Sequence, residues 1–244
     1  MMTRVACAAC PLRRLPAFVP MSDEEVAFMD RFKVGELRVD RGTTILMEGS
    51  NSPQLFTVLS GMGLRYKTLE NGRRQVVNLV LPGDFLGLQA GLLGDMKHSV
   101  EATTSMVLCV FNRADLWQMF RAQPERAYDL TWIAAVEEHF LGETLATLGQ
   151  RDATERVAWA LHRIHARLVA LGLQRAGAVP LPFRQQDLAD ALGLSLVHTN
   201  KTLKRLAQRR LAKWSDGSLR VPDPDALAAI AMVEPGPPEP RPLM

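Results

Sequence analysis

Gln185–Leu206 reads QQDLADALGLSLVHTNKTLKRL. Leu188, Ala189 and Leu192 recur at helical spacing, Gly193 permits a sharp turn, and Ser195 can cap a second helix running to about Gln208. Two short helices joined at a glycine make the helix-turn-helix pattern. Val197, Leu203 and Leu206 are expected to serve the core. That leaves Ser195, His198, Thr199, Asn200, Lys201 and Lys204 as a polar cluster, with Gln186 on the helix before it. Asn pairs bidentately with adenine, Lys reaches guanine acceptors or phosphate, and His donates to either. The cluster has the chemistry of a groove-reading surface; the plain alternative is a solvated helix face.

The residues immediately downstream favour the groove-reading surface. Leu211–Val221 holds two short runs around Asp216-Gly217, a hairpin signal. A hairpin directly after a helix-turn-helix is a winged helix, and Lys213 and Arg220 suit a wing lying along phosphate. Charge is distributed to match. Residues 1–150 carry 15 Lys/Arg against 17 Asp/Glu, a net of −2, whereas residues 151–223 carry 13 against 6, a net of +7. A basic segment on a nearly neutral chain points to a polyanion, most simply double-stranded DNA.

Upstream, Ser22-Asp23-Glu24-Glu25 precedes a helical run through Val26, Met29 and Phe32, as a cap and first turn would. Short apolar runs then alternate with turn signals from Leu37 to Phe111, at Arg41-Gly42, Glu48-Gly49, Ser60-Gly61, Asn71-Gly72 and Pro82-Gly83-Asp84. That spacing predicts a small β-sandwich or barrel. From Glu125 to Leu148 the pattern is helical without a proline, about 36 Å at the helical rise. Trp132, Val136, His139 and Phe140 lie on its apolar stripe and are expected to pair with a second copy. Gly149–Asp152 reads as a hinge, and Asp152 or Thr154 can cap the next helix. Glu234–Leu243 holds five prolines and is expected to be disordered.

The fold class expected is α+β. The divisions are an arm over residues 1–21, a sensor barrel over 22–124, a dimerisation helix and hinge over 125–150, a winged helix-turn-helix over 151–225 and a tail over 226–244. Three cysteines, Cys7, Cys10 and Cys109, are too few for a disulfide scaffold and fit a reducing compartment. With no long apolar run, the expected location is cytoplasmic, with no membrane partner.

The order of barrel, long helix, hinge and winged helix resembles the Crp/Fnr family of bacterial transcription regulators. The residues that carry the resemblance are Gly35-Glu36-Leu37, Arg41–Ile45, Glu48-Gly49, Leu55–Gly61, Leu81–Gly87 and Asp187–Ser195. The resemblance implies a cyclic-nucleotide-binding-like barrel and a homodimer on pseudo-palindromic DNA. It also implies a signal at the barrel that re-poses the winged helices, and RNA polymerase as a partner if the protein activates. It places an effector pocket at Gly83, Asp84, Leu88, Lys97, His98, Ser99 and Thr104.

Departures from the family pattern narrow these expectations. Cyclic-AMP-binding members have a glutamate and an arginine-serine pair where this chain has Leu88, His98 and Ser99. Without the carboxylate and the permanent cation, cyclic AMP is not expected. Oxygen-sensing members hold an iron-sulfur cluster on four cysteines, and this chain has three. No cofactor is therefore expected; Cys7, Cys10 and Cys109 remain weak metal or redox candidates, and His98 or His139 a haem-ligand alternative. Many relatives carry glutamate and arginine at the positions of Val197 and Lys201, so the DNA box need not be theirs. An enzyme is not expected: Cys109 lies in a buried-strand pattern, and His162 and His165 make at most half a metal site.

Overall fold

A computed structural model describes residues 5–244. The chain gathers into two units, one holding residues up to Ala135 together with Pro240–Met244, the other Val136–Glu239.

In the first unit Ser22 caps α1 (Asp23–Phe32). Its hydroxyl accepts from the Glu25 amide at 3.2 Å, and the Glu25 carboxylate accepts from the Ser22 amide at 2.7 Å. Two orphan donors of the first turn are thereby satisfied. The strands that come next are β1 (Lys33–Val39), β2 (Thr44–Leu46), β3 (Gln54–Ser60), β4 (Gly63–Thr68), β5 (Arg74–Val80), β6 (Phe85–Leu86), β7 (Ser99–Ala102) and β8 (Met106–Asn112), with the short α2 (Leu88–Leu93) between β6 and β7. They form two four-stranded sheets, β1-β8-β3-β6 and β2-β7-β4-β5, with every pairing antiparallel.

Phe56, Val58, Val80, Val100, Met106 and Leu108 fill the space between the sheets. Alternation on β3 sends Leu55 and Thr57 to the opposite face. There Leu55 packs with Phe32, Phe111, Met119 and Ile133 against α1, α3 (Leu116–Ala122) and the start of α4 (Pro124–Gln150). Because β3 is covered on both faces, Leu55–Val58 is buried throughout and apolar but for Thr57.

The last residues differ from the sequence expectation of disorder. Arg241 forms a parallel bridge with Phe18, donating its amide to the Ala17 carbonyl and accepting from the Val19 amide, both at 3.0 Å. Leu243 and Met244 are buried, and Met244 joins the cluster beneath α1 and α3. The prolines forbid helix and strand interiors, but the four residues after the last Pro-Glu-Pro carry their own apolar anchors.

In the second unit Asp152 caps α5 (Ala153–Ala170), accepting from the Thr154 and Glu155 amides at 2.6 and 2.9 Å. The unit continues with β9 (Val179–Pro180), α6 (Gln185–Leu192), α7 (Leu196–Gln208), β10 (Lys213–Ser215), β11 (Ser218–Arg220) and α8 (Pro224–Ala231). Its core contains Val157, Leu161, Leu168, Leu206, Leu219 and Leu227. Helix α8 lies where the sequence reading ends the domain and begins the tail. Its signal was present in Asp223-Pro224: the Asp223 carboxylate accepts from the Ala226 amide, and proline occupies the first turn. Among the described residues no helix is long and apolar enough to cross a membrane.

Candidate nucleic-acid interface

Helices α6 and α7 meet at Gly193, whose φ of 63° is the left-handed conformation that closes a helix. Arg184 and the buried Asp187 secure the entrance to α6: the carboxylate accepts from the Arg184 amide at 2.8 Å and from its guanidinium at 2.7 Å. Ser195 caps α7 by accepting from the His198 amide at 3.2 Å, so one predicted contact residue is also structural.

Thr199, Thr202, Leu203 and Leu206 face inward on α7. Their spacing puts Val197, Asn200, Lys201, Lys204 and Gln208 on one outward stripe, flanked by His198 and Arg205; all seven are exposed. Two sequence assignments are corrected here. Thr199 is fully buried and its hydroxyl donates to the Ser195 carbonyl at 3.1 Å, so it supports the turn and cannot reach DNA. Val197, expected in the core, is 75% exposed. It lies two positions from Thr199, about 200° around the helix, and the inward periodicity through Thr202 and Leu203 could have shown it. Gln186 is exposed on α6, where its amide donates to Asp190 at 2.6 Å.

The wing is a two-residue hairpin in which both Asp216 and Gly217 have positive φ, the requirement of a type I′ turn. Lys213 pairs directly with Arg220 across it, so both cations project from the same face, and both are exposed. Leu219 and Trp214 fasten the hairpin below: Leu219 is fully buried, and the Trp214 indole donates to the Leu181 carbonyl at 3.2 Å.

Several of the residues assigned to an effector pocket are engaged within the barrel unit, while the Lys97 amide donates to Gln89, next to Leu88, at 3.1 Å. Gly83 lies against Phe18, leaving no room for a side chain there. Asp84 is buried and ion-paired with Arg241 at 2.8 Å, which removes it as an effector contact. Leu88 packs toward the cluster beneath α1, Ser99 accepts from the Glu48 amide, and Thr104 accepts from the Met62 amide at 2.9 Å. Lys97 is exposed and His98 half-buried at the start of β7. The space between the sheets is packed with apolar side chains.

Cys7, Cys10 and Cys109 are half-buried and line one cavity with Met29, Thr57 and Met244. Burial, with Asp30 nearby, pushes the Cys7 thiol up to about 12, and burial raises Cys109 as well. Both favour the neutral thiol over the thiolate a metal requires. A four-thiolate cluster also lacks its fourth cysteine. Among the described residues no group of three or more His, Cys, Asp and Glu side chains is placed to hold a metal ion.

On α4, Phe140 is buried in the second unit. Its ring stacks on Trp159 at 6.2 Å, and the Arg163 guanidinium lies 4.2 Å from its centroid. That placement withdraws it from the expected self-association stripe. Trp132 and Val136 are half-buried, and His139 is exposed.

Comparison with known proteins agrees with this architecture. Residues 36–123 match the cyclic nucleotide-binding domain family, and residues 155–230 match the Crp-like helix-turn-helix domain family. The nitrogen fixation regulation protein FixK of Bradyrhizobium diazoefficiens is 32% identical over 190 residues, 78% of this chain and 79% of that protein. The transcriptional activator FnrL of Cereibacter sphaeroides is 29% identical, covering 82% of this chain and 81% of the relative. The solved structure of FixK2 from Bradyrhizobium japonicum superposes with a TM-score of 0.72 at 25% identity, covering 80% of this chain and 96% of that one. From its paired sheets, its winged helix and these relatives, the chain belongs to the Crp/Fnr family of transcription regulators.

Proposed function

We propose that the protein is a homodimeric regulator that reads a pseudo-palindromic DNA site through α7 and grips flanking phosphate with its wing. The observation behind this reading is the outward stripe of α7. Val197, Asn200, Lys201 and Lys204 stand exposed at three- and four-residue spacing while Thr199, Thr202 and Leu203 anchor the opposite face. Side chains in the first turns of such a helix are those that reach base edges in a major groove. Asn200 is assigned to base readout, Lys201 to a guanine edge or phosphate, and Lys204, Lys213 and Arg220 to phosphate.

Self-association is assigned to the exposed seam of α4. Tyr128, Ala135, Gly142, Leu145 and Gly149 recur close to a heptad, and small residues at every seventh position let two helices approach closely. Tyr128 and Leu145 are 70% and 73% exposed, large apolar surfaces that a partner would cover. Two-fold symmetry then separates the half-sites by about one helical turn of DNA. The signal is neither cyclic AMP nor a four-cysteine cluster, because the residues both require are absent. The protein acts in the cytoplasm, contacts RNA polymerase if it activates, and performs no catalysis.

Selection from a random duplex pool tests the reading. One enriched palindrome is expected. Asn200→Ala should then cost about 1–3 kcal/mol on that site and little on random DNA. Lys204→Ala should weaken both and lower the salt slope by about one. Equal losses on specific and random DNA for Asn200→Ala would remove it from base readout.

A further inference from the structure

The last four residues form a bound peptide. Arg241 exchanges two backbone hydrogen bonds with the Ala17–Val19 stretch, and its guanidinium pairs with the buried Asp84 at 2.8 Å. The Thr57 hydroxyl donates to the Met244 main-chain oxygen, and Arg126 donates to the Leu243 carbonyl at 3.5 Å. Arg126 is itself held by Glu25 and Asp129 at 2.6 and 2.7 Å. Leu243 and Met244 bury their side chains, at 4% and 5% exposure. Backbone pairing, one buried ion pair and two apolar anchors are the elements of extended-peptide recognition.

The other end of this segment is fixed at the hinge. Arg151, the residue after α4, donates to the Ala231 carbonyl at 2.9 Å and the Met232 carbonyl at 3.4 Å, where α8 ends. It also donates to the Thr147 hydroxyl on α4 at 2.6 Å. Between these anchors Val233–Pro240 reads Val-Glu-Pro-Gly-Pro-Pro-Glu-Pro. Proline-rich chain of this kind is extended and semi-rigid, so it transmits a displacement that a glycine-serine linker would absorb.

We propose that the surface formed by Ala17–Val19, Thr57, Asp84 and Arg126 is a peptide-binding site whose ligand is this chain's own Arg241-Pro242-Leu243-Met244 segment. We further propose that its occupancy is coupled through the stiff Val233–Pro240 strap to the DNA affinity of the winged helix. The chain passes between the two units twice, once within α4 and once through the strap, and the strap follows the end of α8 that Arg151 holds. A displacement of the end of α8 would either carry the docked segment or release it. Coupling is reciprocal: a competitor that displaces the segment alters DNA binding, and DNA alters the segment's protection. The coupling rests on the DNA-binding reading; the docked segment does not.

The test uses the full chain. Hydrogen exchange at the Arg241 and Val19 amides should show protection in the wild type and lose it in Leu243→Asp. Affinity of Leu243→Asp for the selected palindrome should differ from wild type by at least about fivefold, a typical size for coupling between sites. Because Leu243→Asp could disturb the adjoining core, two further measurements accompany it. A synthetic Glu239–Met244 peptide added in trans to the wild type should displace the segment and shift affinity in the same direction as Leu243→Asp, and it should leave the affinity of Leu243→Asp itself unchanged. The triple variant P235G/P237G/P238G should keep amide protection yet shift affinity in the same direction. Unprotected wild-type amides would overturn the peptide site. Lost protection with DNA affinity unchanged within twofold would overturn the coupling. If the wild type enriches no palindrome, the DNA-binding reading fails, while the exchange result still decides the peptide site.

Discussion

Replacing Phe140 separates a packing role from a self-association role, and the structure gives the size of the effect. The side chain is 7% exposed, stacked with Trp159 at an interplanar angle of 6°, and covered by Arg163. Phe140→Ala removes nearly the whole buried ring, which costs about 3–5 kcal/mol through lost transfer energy and the cavity left behind. The guanidinium contact adds about 0.5–1 kcal/mol at a partly solvated site. Against a domain stability of about 5–15 kcal/mol the second unit should remain folded but unfold at markedly lower urea. Equilibrium denaturation is followed by circular dichroism and fitted as two transitions, since two units need not unfold together. Sedimentation at fixed concentration without denaturant gives the oligomeric state. The expected pattern is a lower midpoint with an unchanged sedimentation coefficient. A variant that falls to a monomer while its unfolding free energies stay within about 1 kcal/mol of wild type would place Phe140 on the dimer seam and refute this assignment.

The opposite pattern is expected of Leu145→Asp: an exposed seam residue gains a charge that a partner must bury, so self-association should weaken by about tenfold or more in sedimentation, with little change in unfolding of the monomer. Val197 is expected to touch a thymine methyl, since an exposed apolar side chain at this place on α7 has no polar base edge to answer. Deoxyuridine in place of thymine should therefore cost about fourfold at one symmetric position, the worth of one buried methyl-sized group, and Val197→Ala should be insensitive there. A flat deoxyuridine scan would sink that contact. Burial, with His162 nearby, holds His165 below the ordinary histidine range, and burial lowers His162 too. A histidine kept neutral in the fold stabilises above its unfolded pKa near 6.5, and that stability is lost as pH falls toward the lowered folded value. The urea midpoint of the second unit should thus drop as pH falls below about 6.5, less steeply in His165→Leu; an identical slope in that variant would exclude His165.

Much of the DNA-binding unit was legible because its signals are local. Gly193, the Ser195 cap and the Asp216-Gly217 turn each act within four residues, and the structure places all three as expected. The caps at Ser22 and Asp152 were equally legible. Errors arose where one residue type suits two environments. Valine favours burial, yet Val197 points outward because threonines at 199 and 202 satisfy their hydroxyls within the helix or pack them inward. Phe140 sits on a broad apolar stripe, and periodicity alone does not reveal whether a neighbouring helix of the same unit or a second copy covers it.

The effector pocket and the tail were decided by contacts between residues far apart in sequence. Asp84 belongs to a turn motif that reads as a ligand contact, but its partner is Arg241, 157 residues away. The five prolines between Glu234 and Leu243 correctly exclude helix and strand interior; they carry no information about the surroundings of Leu243 and Met244. The order of elements, the family and the polar residues of α7 are written in the chain itself, because backbone propensity, capping and periodicity are short-range. The packed barrel interior, the internal place of Phe140 and the return of the tail to the first unit emerge only on folding. Burial and ion pairing depend on which surfaces the fold brings together.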